Sequence, residues 1–101
     1  MLINVYLKHR NYDAMGTFNS ETKETIVKKG SVVSEDISTA PKFSGANSIR
    51  KRRENTVENR MLKKDISFKS PSSAANFVTG YSKNGYISWK NEDGTILKDL
   101  L

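Results

Sequence analysis

The sequence contains no cysteine and a single histidine, His9. Without cysteine there is neither a disulfide framework nor a thiolate metal site. A lone histidine between Lys8 and Arg10 reads as a surface residue at a strand end rather than as a catalytic group. The carboxylates are scattered. Glu35-Asp36 and Glu92-Asp93 are adjacent pairs in expected loops, with no further ligands to complete a metal site. No glycine-rich loop is suited to cradling phosphates, and the serines Ser70, Ser72 and Ser73 have no base within their motif. The opening Met1–Leu7 is too short and too interrupted for a signal peptide or a membrane span. These absences set the expectation of a soluble, cytoplasmic protein that is not an enzyme and that uses no cofactor, no metal and no membrane.

A length of 101 residues allows one domain, residues 1–101, with a core near the small end of what folds unaided. The net charge is +6, and its distribution is uneven. Between Lys42 and Lys64 lie eight basic residues (Lys42, Arg50, Lys51, Arg52, Arg53, Arg60, Lys63, Lys64) against Glu54 and Glu58. That surplus accounts for the whole net charge, because the remaining nine basic and nine acidic residues cancel. Charge segregated in this way favours a polyanion such as DNA or RNA, through phosphate neutralisation. The alternative is a solvated basic helix that maintains solubility. Four consecutive basic residues at Arg50–Arg53 exceed what solubility requires.

Hydrophobic spacing gives the coarse architecture. Ile3, Val5 and Leu7 alternate with polar or aromatic neighbours and predict a first strand. Ala14–Phe18 and Thr25–Lys29 predict a second and a third, with Gly30-Ser31 bending the chain before Val32-Val33. Residues 34–45 are polar, carry Pro41 and read as a loop. A helix is expected from about Ala46 to Arg60. On it Ala46, Ile49 and Val57 share a face with Arg53 and Arg60, whose stems would lie along the core edge and snorkel outward. Met61-Leu62 and Ile66–Phe68 read as an extended link.

The most informative stretch is Phe68–Gly80. Ser70 is placed to cap a helix, Pro71 suits its first position, Ala74, Ala75, Phe77 and Val78 make an apolar face, and Gly80 is placed to end it. Beyond it, alternation over Tyr86–Lys90 predicts a strand that returns through the turn Asn91–Gly94 to Thr95–Lys98. Trp89 is expected to pack on Phe77 and Val78. The fold class is therefore α+β: a small antiparallel sheet, made of an N-terminal meander plus a C-terminal hairpin, with two helices packed on one face.

Several landmarks carry a family resemblance. They are Gly16 before an aromatic, Lys29-Gly30-Ser31, the arginine-rich helix, Phe68-Lys69-Ser70-Pro71-Ser72-Ser73-Ala74-Ala75, Gly80, Asn84-Gly85, Trp89-Lys90 and Gly94 with Leu97. Their succession resembles the small domain of unknown function found at the C-termini of GIY-YIG nucleases and restriction-system proteins. It is also similar to the restriction-enzyme and adenine-methylase associated domain. The resemblance implies an accessory module of defence or DNA-processing systems with a role in recognising DNA, and it supplies no catalytic residues.

The expected function is non-catalytic nucleic-acid binding, with DNA favoured. Docking onto a nuclease, methylase or ATPase partner is the alternative. The expected contacts are Arg50, Lys51, Arg52, Arg53, Lys63 and Lys64 from the basic segment, with Lys83 and Lys90 on phosphates. Tyr86 or Tyr81 would stack on a base. Asn84 has two readings: with Gly85, a turn needing positive φ, or an amide reading a base edge.

Overall fold

A computed structural model describes all residues 1–101. The N-terminal alternation is realised as β1 (Leu2–His9) and β2 (Tyr12–Asn19), paired in antiparallel register from Leu2↔Asn19 to His9↔Tyr12 around a turn at Arg10-Asn11. β3 (Thr25–Val27) pairs with β2. The polar loop follows, then α1 (Ala46–Thr56), a small ribbon of β4 (Val57–Glu58) and β5 (Met61–Leu62), and β6 (Ile66–Phe68). α2 (Pro71–Thr79), the single turn α3 (Gly85–Ser88) and a final 3-10 turn (Leu97–Leu100) complete the chain. The result is an α+β fold whose main sheet runs β1-β2-β3-β6.

One face of that sheet is apolar because the strands alternate. Val5, Leu7, Ala14, Phe18, Val27, Ile66 and Phe68 point inward and are buried, joined there by Ala74, Ala75, Phe77 and Val78 of α2. α2 lies across β2, β3 and β6. Its ends form as expected. Ser70 Oγ accepts from the Ser73 N–H at 3.1 Å, Pro71 opens the helix, and Gly80 closes it at φ +77°. No larger residue fits at Gly80, since a Cβ would stand 2.2 Å from the Asp36 carbonyl oxygen. The polar loop is anchored at this same end, where Ser34 N–H donates to the Val78 carbonyl and Ser38 N–H to that of Gly80.

Four elements differ from their expected form. The basic helix stops at Thr56, because Val57 becomes extended (φ −119°) and Asn59 and Arg60 take positive φ to turn the ribbon. The link before α2 is the sheet strand β6, paired with β3 at Thr25↔Phe68 through Val27↔Ile66. The predicted strand Tyr86–Lys90 is instead the helical turn α3. Asn84 caps it, its side-chain oxygen accepting from Tyr86 N–H at 3.0 Å. The C-terminal hairpin shrinks to one bridge, Lys90↔Ile96, and a separate bridge, Tyr6↔Lys90, lays Lys90 against β1.

α3 forms because the segment is held onto the first turn of α2. The Trp89 indole N–H donates to the Pro71 carbonyl at 2.9 Å, Gly85 N–H to Ser72 Oγ at 2.9 Å, and Lys83 N–H to the Asn76 side-chain oxygen at 2.8 Å. Gly85 has an ordinary helical φ. It is required because a Cβ there would lie 2.2 Å from the Pro71 carbonyl carbon and 2.3 Å from Ser72 N. Trp89 is fully buried in the same apolar cluster as Phe77 and Val78, where the sequence places it. Gly85→Ala is expected to destabilise the fold by about 2–3 kcal/mol. Trp89→Phe, which keeps the apolar bulk but abandons the Pro71 carbonyl, should cost about 1–2 kcal/mol. Urea unfolding followed by far-UV circular dichroism measures both.

Candidate nucleic-acid interface

Within Arg50–Arg53 the four cations have different fates, because successive helical residues point about 100° apart. Arg50, Lys51 and Arg52 are exposed. Arg50 donates to the Asn47 side-chain oxygen at 3.2 Å on its own helix. Arg52 places its guanidinium over the Phe68 ring, 4.4 Å from the centroid, and donates to the Ser67 carbonyl of β6 at 3.2 Å.

Arg53 faces inward and does not snorkel. Its guanidinium donates to the Phe77 carbonyl at 2.7 Å and the Ser34 carbonyl at 2.9 Å, with further bonds to Ser34 Oγ and the Val78 carbonyl. It therefore closes the C-terminal end of α2, where unpaired carbonyls and the helix dipole favour a cation. Burial, and secondarily the charge of Arg60, lower its pKa to about 10, so it remains charged at neutral pH. With its donors committed to these carbonyls, Arg53 leaves the set of candidate ligand contacts.

The exposed cations are not neutralised by neighbouring acids. The molecule has two ion pairs: the Met1 amino group with Glu21 at 3.7 Å, and Lys28 with Asp65 at 3.6 Å. Asp65 also accepts the Lys29 backbone N–H at 2.7 Å, and this bond, aided by the Lys28 charge, holds its carboxyl below the ordinary value of 3.8. Lys63 and Lys64, exposed beside it after the ribbon, carry no ion pair.

Lys83 and Lys90 lie elsewhere. Sheet order puts β1 at one edge and β6 at the other. Arg52 reaches the β6 edge, whereas Lys90 is bridged to Tyr6 on the β1 edge. Lys83 and Lys90 together line a cleft of about 700 Å³ with Tyr6, Lys8, Ile87 and Glu92. The expected contacts thus fall into two basic regions at opposite sheet edges. Tyr86 joins neither. It is half-buried and meets Phe18 edge-on, with centroids 6.1 Å apart. Asn84 is not a positive-φ turn residue (φ −86°), and its side-chain oxygen is engaged in capping α3. Tyr6 and Lys8 went unrecognised as site residues. Their signal was present in β1, where Leu2, Asn4, Tyr6 and Lys8 occupy the face opposite Ile3, Val5 and Leu7.

No group of three or more His, Asp or Glu side chains is placed to hold a metal ion, and no helix is long and apolar enough to cross a membrane. The molecule is an α+β domain in which Arg52 of the basic helix meets one edge of the sheet and Lys90 the other. Its sequence matches, over residues 5–101, the profile of a family described as a domain of unknown function (DUF4357), and the chain belongs to that family. No curated protein and no solved structure matches it.

Replacing Arg53 separates its structural role from the exposed cations. Arg53→Met strands the Phe77 and Ser34 carbonyls and should lower stability by about 3 kcal/mol. Arg53→Lys restores the charge but not the fork and should recover only part of the loss. Arg50→Met, measured in the same urea series, should change stability by less than about 0.5 kcal/mol.

Proposed function

We propose that this chain is a non-catalytic nucleic-acid-binding accessory module, with DNA the favoured partner, working beside restriction or DNA-processing enzymes. The observation that carries the reading is the row Arg50, Lys51 and Arg52: three consecutive exposed cations on one helix, none ion-paired. A cation without a carboxylate partner keeps its full charge for phosphate, and releasing counterions from the polyanion drives binding. The family resemblance described above supplies the setting beside enzymes that act on DNA.

The test is fluorescence anisotropy with duplex and single-stranded oligonucleotides across a salt series. Binding should weaken steeply as salt rises. Arg50→Ala, Lys51→Ala and Arg52→Ala combined should weaken it for every sequence and lower the salt slope by about 0.9 per lost phosphate contact. No binding at low salt would overturn the reading.

A second reading is favoured by the sheet face turned away from α2. It presents Leu2 and Met15, 66% and 49% exposed, and half-buried Ile26, with Asn4 and Thr17 lying between Leu2 and Met15. Exposed apolar side chains on an uncovered face suit a protein partner such as a nuclease, methylase or ATPase. Under this reading Met15→Asp abolishes capture of that partner, whereas the combined Arg50, Lys51 and Arg52 alanine variant leaves that capture unchanged.

A further inference from the structure

We propose that the cleft between β1 and the Lys83–Glu92 segment takes one unpaired nucleotide, with the base lying on the Tyr6 ring and the phosphate held by Lys8, Lys83 and Lys90. The proposal rests on the nucleic-acid reading but concerns a different surface from α1, and it names the chemical form of the ligand.

The cleft is constructed by backbone pairing. Tyr6 N–H donates to the Lys90 carbonyl at 2.7 Å and Lys90 N–H to the Tyr6 carbonyl at 3.1 Å. Cross-strand partners project to the same face, so the Lys90 side chain rises beside the Tyr6 ring. Lys8, two residues along β1, projects to that face too, and its Nζ stands over the ring, 5.6 Å from the centroid, so that the base takes the place of this ammonium on the ring and the lysine turns to the phosphate. The opposite wall brings Lys83 and Ile87, the latter 51% exposed although it is a large apolar side chain.

Ligand class follows from this inventory. Among the lining side chains three ammonium groups stand against one carboxylate, that of Glu92; neither it nor Asp13, the cross-strand neighbour of Lys8 outside the lining, is ion-paired to any of them. The ligand is therefore anionic. An aromatic ring on one wall and an aliphatic side chain on the other suit a flat, unsaturated body between them. A nucleotide combines both properties, and an exocyclic amine on its base would find an acceptor in Glu92, whose Oε1 lies 3.5 Å from the Tyr6 hydroxyl. The volume of about 700 Å³ is within the range of small-ligand clefts. The base must be unpaired, because in a duplex its faces are covered by stacking. An acidic peptide would satisfy the lysines but leave the Tyr6 ring without a planar partner.

Titrating the isotope-labelled protein by NMR with adenosine monophosphate, a short oligodeoxyadenylate, a duplex and a polyglutamate peptide tests this. The single strand should move the Tyr6, Lys8, Lys83 and Lys90 amides. Tyr6→Ala should weaken it about tenfold or more, while Tyr6→Phe retains binding. Lys83→Glu, at an exposed position, should weaken it without touching the ring. Equal response to the mononucleotide assigns a free nucleotide to the cleft, and response to the strand alone assigns an unpaired nucleotide within a chain; either supports the proposal. A silent cleft with oligonucleotide-induced shifts on α1 overturns it and spares the function proposed above. Silence of both regions overturns both. Equal response to polyglutamate, with Tyr6→Ala neutral, replaces the nucleotide with an acidic peptide.

Discussion

The hydrogen bond from the Trp89 indole to the Pro71 carbonyl, with the Gly85–Ser72 contact beside it, ties the last quarter of the chain to the first turn of α2. α2 lies across three strands of the sheet, so fixing Trp89 on it fixes Trp89 relative to the sheet. Lys90 then falls against Tyr6, extending the β1 edge by one bridge, and the cleft exists because that bridge exists. Buried polar groups must be paired, and here an indole N–H and a glycine N–H are each met by a specific partner across the junction, with the half-buried Asn76 side chain adding a third bond at its rim. The Ser-Pro-Ser-Ser stretch and the Asn-Gly…Trp stretch are two halves of one contact. Their residue types are explained by architecture alone.

The same separation of structural and available groups runs through the basic helix. Arg53 and its three predecessors are chemically alike, yet Arg53 is enclosed by the carbonyls of Ser34, Phe77 and Val78, while the others face water. Turning the charge row by one residue would bury a different cation and expose this one. The fold therefore uses one arginine to finish α2 and to hold the polar loop in place, and leaves Arg50, Lys51 and Arg52 without carboxylate partners. A charge count along the sequence overstates the field available to a polyanion by the cation that the core retains.

Much of this was readable from the residues. Ser70, Pro71 and Gly80 act through local chemistry, and α2 forms between them as that chemistry requires. The N-terminal meander followed from alternation at Ile3, Val5 and Leu7 and from the short strand read at Ala14–Phe18. What escaped depends on distant partners. Five residues at Tyr86–Lys90 are too few to separate a period of two from a single helical turn, and the deciding contact is with Ser72, thirteen positions away. Three-residue β6 is a strand only because β3 lies beside it. Arg53 was correctly placed on the inward face with Ile49, but the carbonyls that receive it belong to another helix and a loop. Tyr6 and Lys8 form a site only with Lys83 and Lys90, more than seventy residues later.

Hydrogen exchange followed by NMR interrogates the junction most directly, through the Trp89 indole N–H and the Gly85 amide. If they hold the C-terminal segment to α2, both should exchange as slowly as the amides of the β1–β2 ladder, opening only when the whole domain opens. Exchange of the indole at the rate of surface amides, while the ladder stays protected, would contradict the account: the segment would then be peripheral, and the cleft it builds would not persist.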